Sequence, residues 1–65
     1  MEKVYCIFDA ANKMWQSLAK PNDFVDYVTE AKDWNTQQNA EKEIQRLKQL
    51  YPTHKFKVEP MLKGE

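Results

Sequence analysis

Between Thr36 and Pro52 the chain carries one apolar stripe, Ala40, Ile44, Leu47 and Tyr51, spaced four, three and four residues apart. That spacing keeps all four side chains on one side of an α-helix. Leu50 flanks the stripe, and Glu41, Lys42, Gln45, Arg46, Lys48 and Gln49 form a solvated remainder. Thr36 can cap the first turn with its hydroxyl, while Pro52 ends the helix and pushes residue 51 out of helical geometry. The pattern therefore predicts a helix over about 37–50. A lone helix of this length is marginal in water and needs a surface on which to lay its stripe. In a chain of 65 residues that surface has to be a small sheet.

The strands that would build such a sheet are legible by composition. Lys3 to Phe8 is rich in β-branched and aromatic residues, Asp9 to Lys13 supplies turn chemistry, and Met14 to Leu18 returns as a second strand. Asn12 is the expected left-handed residue of that turn, since it tolerates positive φ better than most non-glycines. With Phe8 opposite Met14, the hairpin register would put Val4, Cys6, Phe8, Met14 and Leu18 on one face, under the helix. Tyr5, Ile7, Trp15 and Ser17 would then share the other. Residues 54–59 alternate polar with apolar and predict a last strand with Phe56 and Val58 inward, ended by Pro60 at an edge or strand terminus. The segment from Phe24 to Trp34 has two readings. Phe24, Val28, Ala31 and Trp34 recur at helical spacing with Asp23 as a cap. The alternative is one helical turn near Val25–Glu30 followed by a short extended stretch, Lys32–Trp34.

The expected fold is a small two-layer α+β domain over 1–65. It has a β-hairpin, a short third strand or helical turn, one amphipathic helix packed on a mainly antiparallel sheet, and a C-terminal strand. A domain this short buries only ~60% of the surface its unfolded chain exposes, so stability should be modest, ~3–5 kcal/mol. Ten basic and ten acidic side chains give a formal net charge of zero, which argues against a generic polyanion binder. No apolar run approaches the ~20 residues of a membrane span, and Met1-Glu2-Lys3 does not open a signal peptide. One cysteine, Cys6, makes no intramolecular disulfide and no multi-cysteine metal site, so the expected setting is reducing and cytoplasmic. No cofactor is expected, and the lone glycine, Gly64, cannot make a phosphate-cradling loop.

The run from Phe24 to Thr36, with Ala40 after it, resembles small phage- and prophage-encoded accessory proteins of Gram-positive bacteria. Their pattern is an aromatic, an acidic turn, an aliphatic, Glu-Ala, an aromatic three residues on, a Thr, and a helix with an early Ala. The likeness covers residues 24 to 47, and Tyr27 stands where the pattern usually has a second acid. The resemblance implies a short turn and short strand before the helix, which favours the second reading of residues 24–34. It also implies an accessory protein of a mobile element that works by binding another macromolecule.

Four groups of residues are candidates for function. Cys6 as nucleophile with His54 as base would need the two within hydrogen-bond reach, but Cys6 lies mid-strand, where a free cysteine packs as a small hydrophobe. The close acid pairs, Asp23 with Asp26 and Glu41 with Glu43, are explained by turn chemistry and by a helix whose residues two apart face different ways. The chain is therefore read as no enzyme. His54, Lys55 and Lys57, near aromatic Tyr5 and Trp15, are a candidate nucleic-acid platform, weighed against lysines that guard an edge strand from pairing. Tyr5, Ile7 and Trp15 form an apolar set on the expected open face, suited to a protein partner or a second copy of the chain. Residues 19–34 or Met61 and Leu62 could instead cover that set. The expected function is non-enzymatic protein binding, as a phage-encoded modulator or inhibitor of a host (defence) protein. The alternatives are a nucleic-acid-binding module and a homodimer.

Overall fold

The computed structural model describes residues 2–63 and has a four-stranded antiparallel sheet with one helix laid across it. Strand β1 (Glu2–Asp9) and β2 (Met14–Gln16) form the hairpin, and β3 (Phe24–Val25) extends it. A 3-10 turn (Val28–Glu30), the helix α1 (Gln37–Leu50) and β4 (Phe56–Lys63) follow. The strand order is β3-β2-β1-β4, so β1 is central and β4 is an edge.

Helix α1 has the predicted bounds and face. The Thr36 hydroxyl accepts a hydrogen bond from the Asn39 N–H at 3.1 Å, and the buried residues of α1 are Ala40, Ile44 and Leu47. Tyr51 leaves helical geometry ahead of Pro52. Residues 24–34 follow the second of the two readings, except that the turn is confined to Val28–Glu30 and Phe24–Val25 ahead of it are extended as β3. One 3-10 turn leads into an extended piece whose Trp34 exchanges both backbone hydrogen bonds with Tyr5, at 2.9 and 2.7 Å. That exchange explains how β4 runs through Pro60 instead of ending there. Tyr5 directs its N–H and C=O towards Trp34, so Pro60, opposite Tyr5 on the other side, is not asked for an N–H. The last strand is accordingly Phe56–Lys63 and not 54–59, and His54 and Lys55 belong to the connection before it.

The hairpin departs from expectation in register and in face. Phe8 pairs with Trp15 and Asp9 with Met14, one residue away from the expected pairing. The core under α1 is built on Ile7 with Ala40, Ile44 and Leu47, and Tyr5, Trp34, Tyr51, Phe56 and Val58 pack against it. The odd-numbered side of β1 thus lies beneath the helix, and Val4, Cys6 and Phe8 face away. The physical reason is that β1 is apolar on both sides, so alternation alone carries no information about which side is covered. Two buried polar residues decide it.

Asp9, fully out of water, accepts from the backbone N–H groups of Ala11 (3.0 Å), Asn12 (3.4 Å) and Lys55 (3.2 Å), and from the Asn12 side chain (2.8 Å). It thereby ties the hairpin loop to the start of β4. Gln16, equally buried, accepts from Trp34 Nε1 at 3.1 Å and donates to Glu43 Oε2 at 2.7 Å and to the Pro21 carbonyl at 3.0 Å. This joins the sheet to α1 through hydrogen bonds that an apolar pair could not supply. With the Asn12 side chain engaged on Asp9, the left-handed residue of the loop is Lys13, at φ 57°, and not Asn12.

Candidate partner-binding face

The face of the sheet opposite α1 is built from alternate residues of every long element. Val4, Cys6 and Phe8 come from β1, Lys57, Glu59 and Met61 from β4, and Trp15 from β2, as the cross-strand pairs require. Ser17 bridges to Ala31, which brings the end of the 3-10 turn alongside. Two zones result.

At one end lies a groove of about 330 Å³. Val4, Cys6 and Ala31 form its buried floor, and Val28 and Met61 line it. Leu18, 60% exposed, forms one rim, and the β4 end at Met61 and Lys63 forms the other; the exposed Leu62 side chain, opposite Lys3, lies on the helix side of the sheet. Asp33 and Lys63 also line it and are paired at 2.6 Å. At the other end the Phe8 and Trp15 rings meet with centroids 4.7 Å apart, and Lys57 Nζ stands 5.6 Å from the Phe8 centroid. Both rings are half-buried.

This arrangement redistributes the expected partner-binding set. Ile7 is fully buried beneath α1, and Tyr5 packs beside it in the same core, so neither lies on the open face. Trp15 alone of the three does, and its companion there is Phe8. The expected covering segments are also only partly right. Leu18, Val28 and Met61 flank the open face, whereas Leu62, opposite Lys3, and Trp34 lie on the helix side. Leu18, expected under the helix, sits at the groove rim instead. Sequence reasoning missed the groove because Leu18 and Val28 lie outside the regular alternation of the hairpin. The available signal was Asp9: a carboxylate ending an otherwise apolar strand marks the side that holds a polar partner.

The basic set separates as well. His54 Nδ1 lies 2.5 Å from Asp9 Oδ2, and its ring sits among Phe24, Tyr51 and Phe56 at centroid distances of 5.1 to 5.6 Å. The Lys55 backbone serves Asp9 while its residue remains exposed, and Lys57 stands over Phe8 on the open face. Burial alone would raise the Asp9 carboxyl, but the hydrogen bonds from Asn12, Lys55 and Ala11 outweigh it and hold the group below the usual carboxylate value. The Asp9–His54 unit is accordingly a structural clamp on three chain segments.

Cys6 is 1% exposed and its Sγ donates to Asp33 Oδ1 at 3.6 Å. Burial, and then the neighbouring Asp33 carboxylate, push its thiol up to about 11. It faces the side of the sheet away from the Asp9-bound His54, so the two do not form a nucleophile–base pair. Glu43 is committed to Arg46, whose guanidinium holds its carboxyl below the usual range, and to Gln16. Among the described residues no group of three or more His, Cys, Asp or Glu is placed to hold a metal ion, and no helix is long and apolar enough to cross a membrane. No protein-family model, curated protein or solved structure matches the chain.

Proposed function

We propose that this chain is a non-enzymatic accessory protein that binds a protein partner through the sheet face opposite α1. The observation that carries this reading is the groove whose buried floor is edged by the strongly exposed Leu18 together with Val28 and Met61. Apolar side chains grouped around a concavity are a feature of surfaces that are covered in a complex. Trp15 beside Phe8 adds an aromatic anchor of the kind that dominates interface energetics. A buried, protonated thiol and a histidine bonded to Asp9 support the absence of chemistry. The phage resemblance of residues 24–47 supplies the concrete form, a modulator or inhibitor of a host protein, including one of a defence system.

Affinity capture from a Gram-positive host lysate tests this reading with an internal control. The Leu18→Ser/Met61→Ser variant should lose the captured partner, whereas Leu50→Ser, which removes an exposed leucine of the helix, should retain it. Capture of the same partner by the groove variant at wild-type yield would contradict the proposal.

A second reading is favoured by one observation, the Lys57–Phe8–Trp15 cluster, in which a cation and two rings share the open face. Single-stranded nucleic acid binds to such combinations. Its signature would be affinity that falls steeply with salt, which apolar docking would not show.

A further inference from the structure

We propose that the edge of β4 is a second docking surface, where an extended segment of a protein partner adds to the sheet as a strand beside α1. The segment is apolar at its centre, with a basic residue before that centre and an acidic residue after it. This surface is separate from the open face and does not depend on it.

Backbone geometry comes first. Tyr5 gives its N–H and C=O to Trp34, so the Tyr5–Pro60 pair exchanges no hydrogen bonds. Antiparallel pairs alternate, so Phe56, Val58, Pro60 and Leu62 direct their backbone groups to the outer edge, while Lys57, Glu59 and Met61 direct theirs to β1. The Ala10 N–H on the Lys55 C=O, at 2.8 Å, keeps the same phase. Such an edge is a template for another strand. Pro60 has no N–H to give, and its ring stands where a neighbouring strand would come in, so pairing stops there. The stretch left open is Phe56–Val58.

A groove of about 310 Å³ lies beside that same stretch, between β4 and α1. Ile44, Phe56 and Val58 give its apolar part, and Glu41, Gln45 and Lys48 its helix wall. Residues of an added strand that pair with Phe56 and Val58 point their side chains to the helix side, as Phe56 and Val58 do. Those side chains enter the groove, and apolar ones gain by covering its apolar part. Lys57, a cation of the kind that protects an edge, stands over Phe8 on the opposite face and leaves the way clear.

Two charges set the direction. Glu41 and Lys48 are exposed and, among the described residues, in no ion pair. Lys48 lies about one turn before Tyr51, whose ring packs on His54 just ahead of β4, so it marks the Phe56 end. Glu41 lies about two turns further back, towards Pro60. A strand antiparallel to β4 enters from the Pro60 end, so its basic residue meets Glu41 and its acidic residue meets Lys48. Exposed charges add little affinity but decide orientation.

A second copy of the chain does not suit this stretch. Pairing Phe56 with Val58 about a two-fold axis sets Lys57 opposite Lys57 of the second copy, and pairing Val58 with itself drives Pro60 into Phe56.

Selection from a random dodecapeptide display library tests the proposal. The baits are the wild type, Gln45→Trp, Glu41→Lys/Lys48→Glu and Leu18→Ser/Met61→Ser, each with a melting transition close to that of the wild type. Gln45→Trp fills the groove from an exposed helix position. The wild type should enrich peptides of the stated pattern, and Gln45→Trp should lose them. The charge swap should enrich the pattern with its two charges exchanged, and Leu18→Ser/Met61→Ser should keep the original. In the free protein the Phe56 and Val58 amides should exchange with solvent faster than those of Lys57 and Glu59, and a bound peptide should slow both. N-methylation of the peptide residue opposite Val58 should weaken binding ~10-fold, the factor that ~1.4 kcal/mol produces, and N-methylation of the next residue should not. No enrichment sensitive to Gln45→Trp, or binding that leaves the Phe56 and Val58 amides exchanging freely, would overturn strand addition. Enrichment blind to the charge swap would overturn the stated partner chemistry. Peptides lost only with Leu18→Ser/Met61→Ser would belong to the open face and overturn this surface. Protection of both amides that grows with protein concentration, without peptide, would put a second copy at the edge and overturn the proposal.

Discussion

Ile7 and Cys6 are neighbours in β1 and both are out of water, at 0% and 1% exposure, yet they are buried by different means. Ile7 lies beneath Ala40, Ile44 and Leu47, in a face closed by an amphipathic helix and fastened by two polar residues, Asp9 and Gln16. Cys6 lies on the floor of a groove edged by an irregular segment and the end of an edge strand, with Leu18 left in solvent. The first face has used its apolar surface to hold the fold. The second retains apolar surface beyond what the fold needs, and that surplus is what a partner can cover. In a domain with one helix, only one face of the sheet can be closed by regular structure, and the other is free to be specialised.

This contrast can be broken most severely from the helix side. Leu47→Asp places an unpaired carboxylate at a fully buried position of a marginal core and should abolish the cooperative thermal transition. A transition near the wild-type midpoint would mean that the two faces are not unequal in this way. Asp9→Ala should come next, at ~3 kcal/mol in chemical denaturation, because the part-buried N–H donors of Ala11, Asn12 and Lys55 lose their acceptor.

The same carboxyl gives a pH signature. Its folded value is depressed, so the folded state binds fewer protons than the unfolded one between that value and the unfolded ~3.9. Its contribution is complete above ~4 and is lost as pH falls through the folded value. Asp9→Asn should flatten the acid limb of the stability profile. Part of the slope should remain from Glu43, which is depressed in the same direction.

Smaller effects sharpen the comparison. Thr36→Ala should lower stability by ~1 kcal/mol through loss of the cap on Asn39, read as a shift in denaturation midpoint at unchanged slope. Lys13→Gly should raise it by up to ~1 kcal/mol, since glycine adopts positive φ without the steric cost that Lys13 bears at 57°.

What was legible in the chain follows the same division. The helix, its Thr36 cap, its Pro52 stop and its buried stripe were all readable, because a helix with one apolar side declares its orientation. The turn and extended piece before it were implied only by the resemblance of residues 24–47, because Phe24, Val28, Ala31 and Trp34 taken alone recur at helical spacing. The face and register of the hairpin were not readable from periodicity. Val4 to Phe8 is apolar at every position, and a one-residue slip decides whether Trp15 shares a face with Tyr5 and Ile7 or with Cys6 and Phe8. The reach of β4 through Pro60 was hidden for a different reason. A proline is tolerated there only because Tyr5 spends its backbone groups on Trp34, a long-range pairing that no local pattern reveals.

The central claim, that the helix closes one face and leaves the groove beside Leu18 open, is tested most directly by methyl NMR with a neutral, soluble gadolinium chelate. The account predicts strong relaxation enhancement at the methyl groups of Leu18, and little at those of Ile7, Ile44 and Leu47. Enhancement at Ile7 equal to or above that at Leu18 would contradict it.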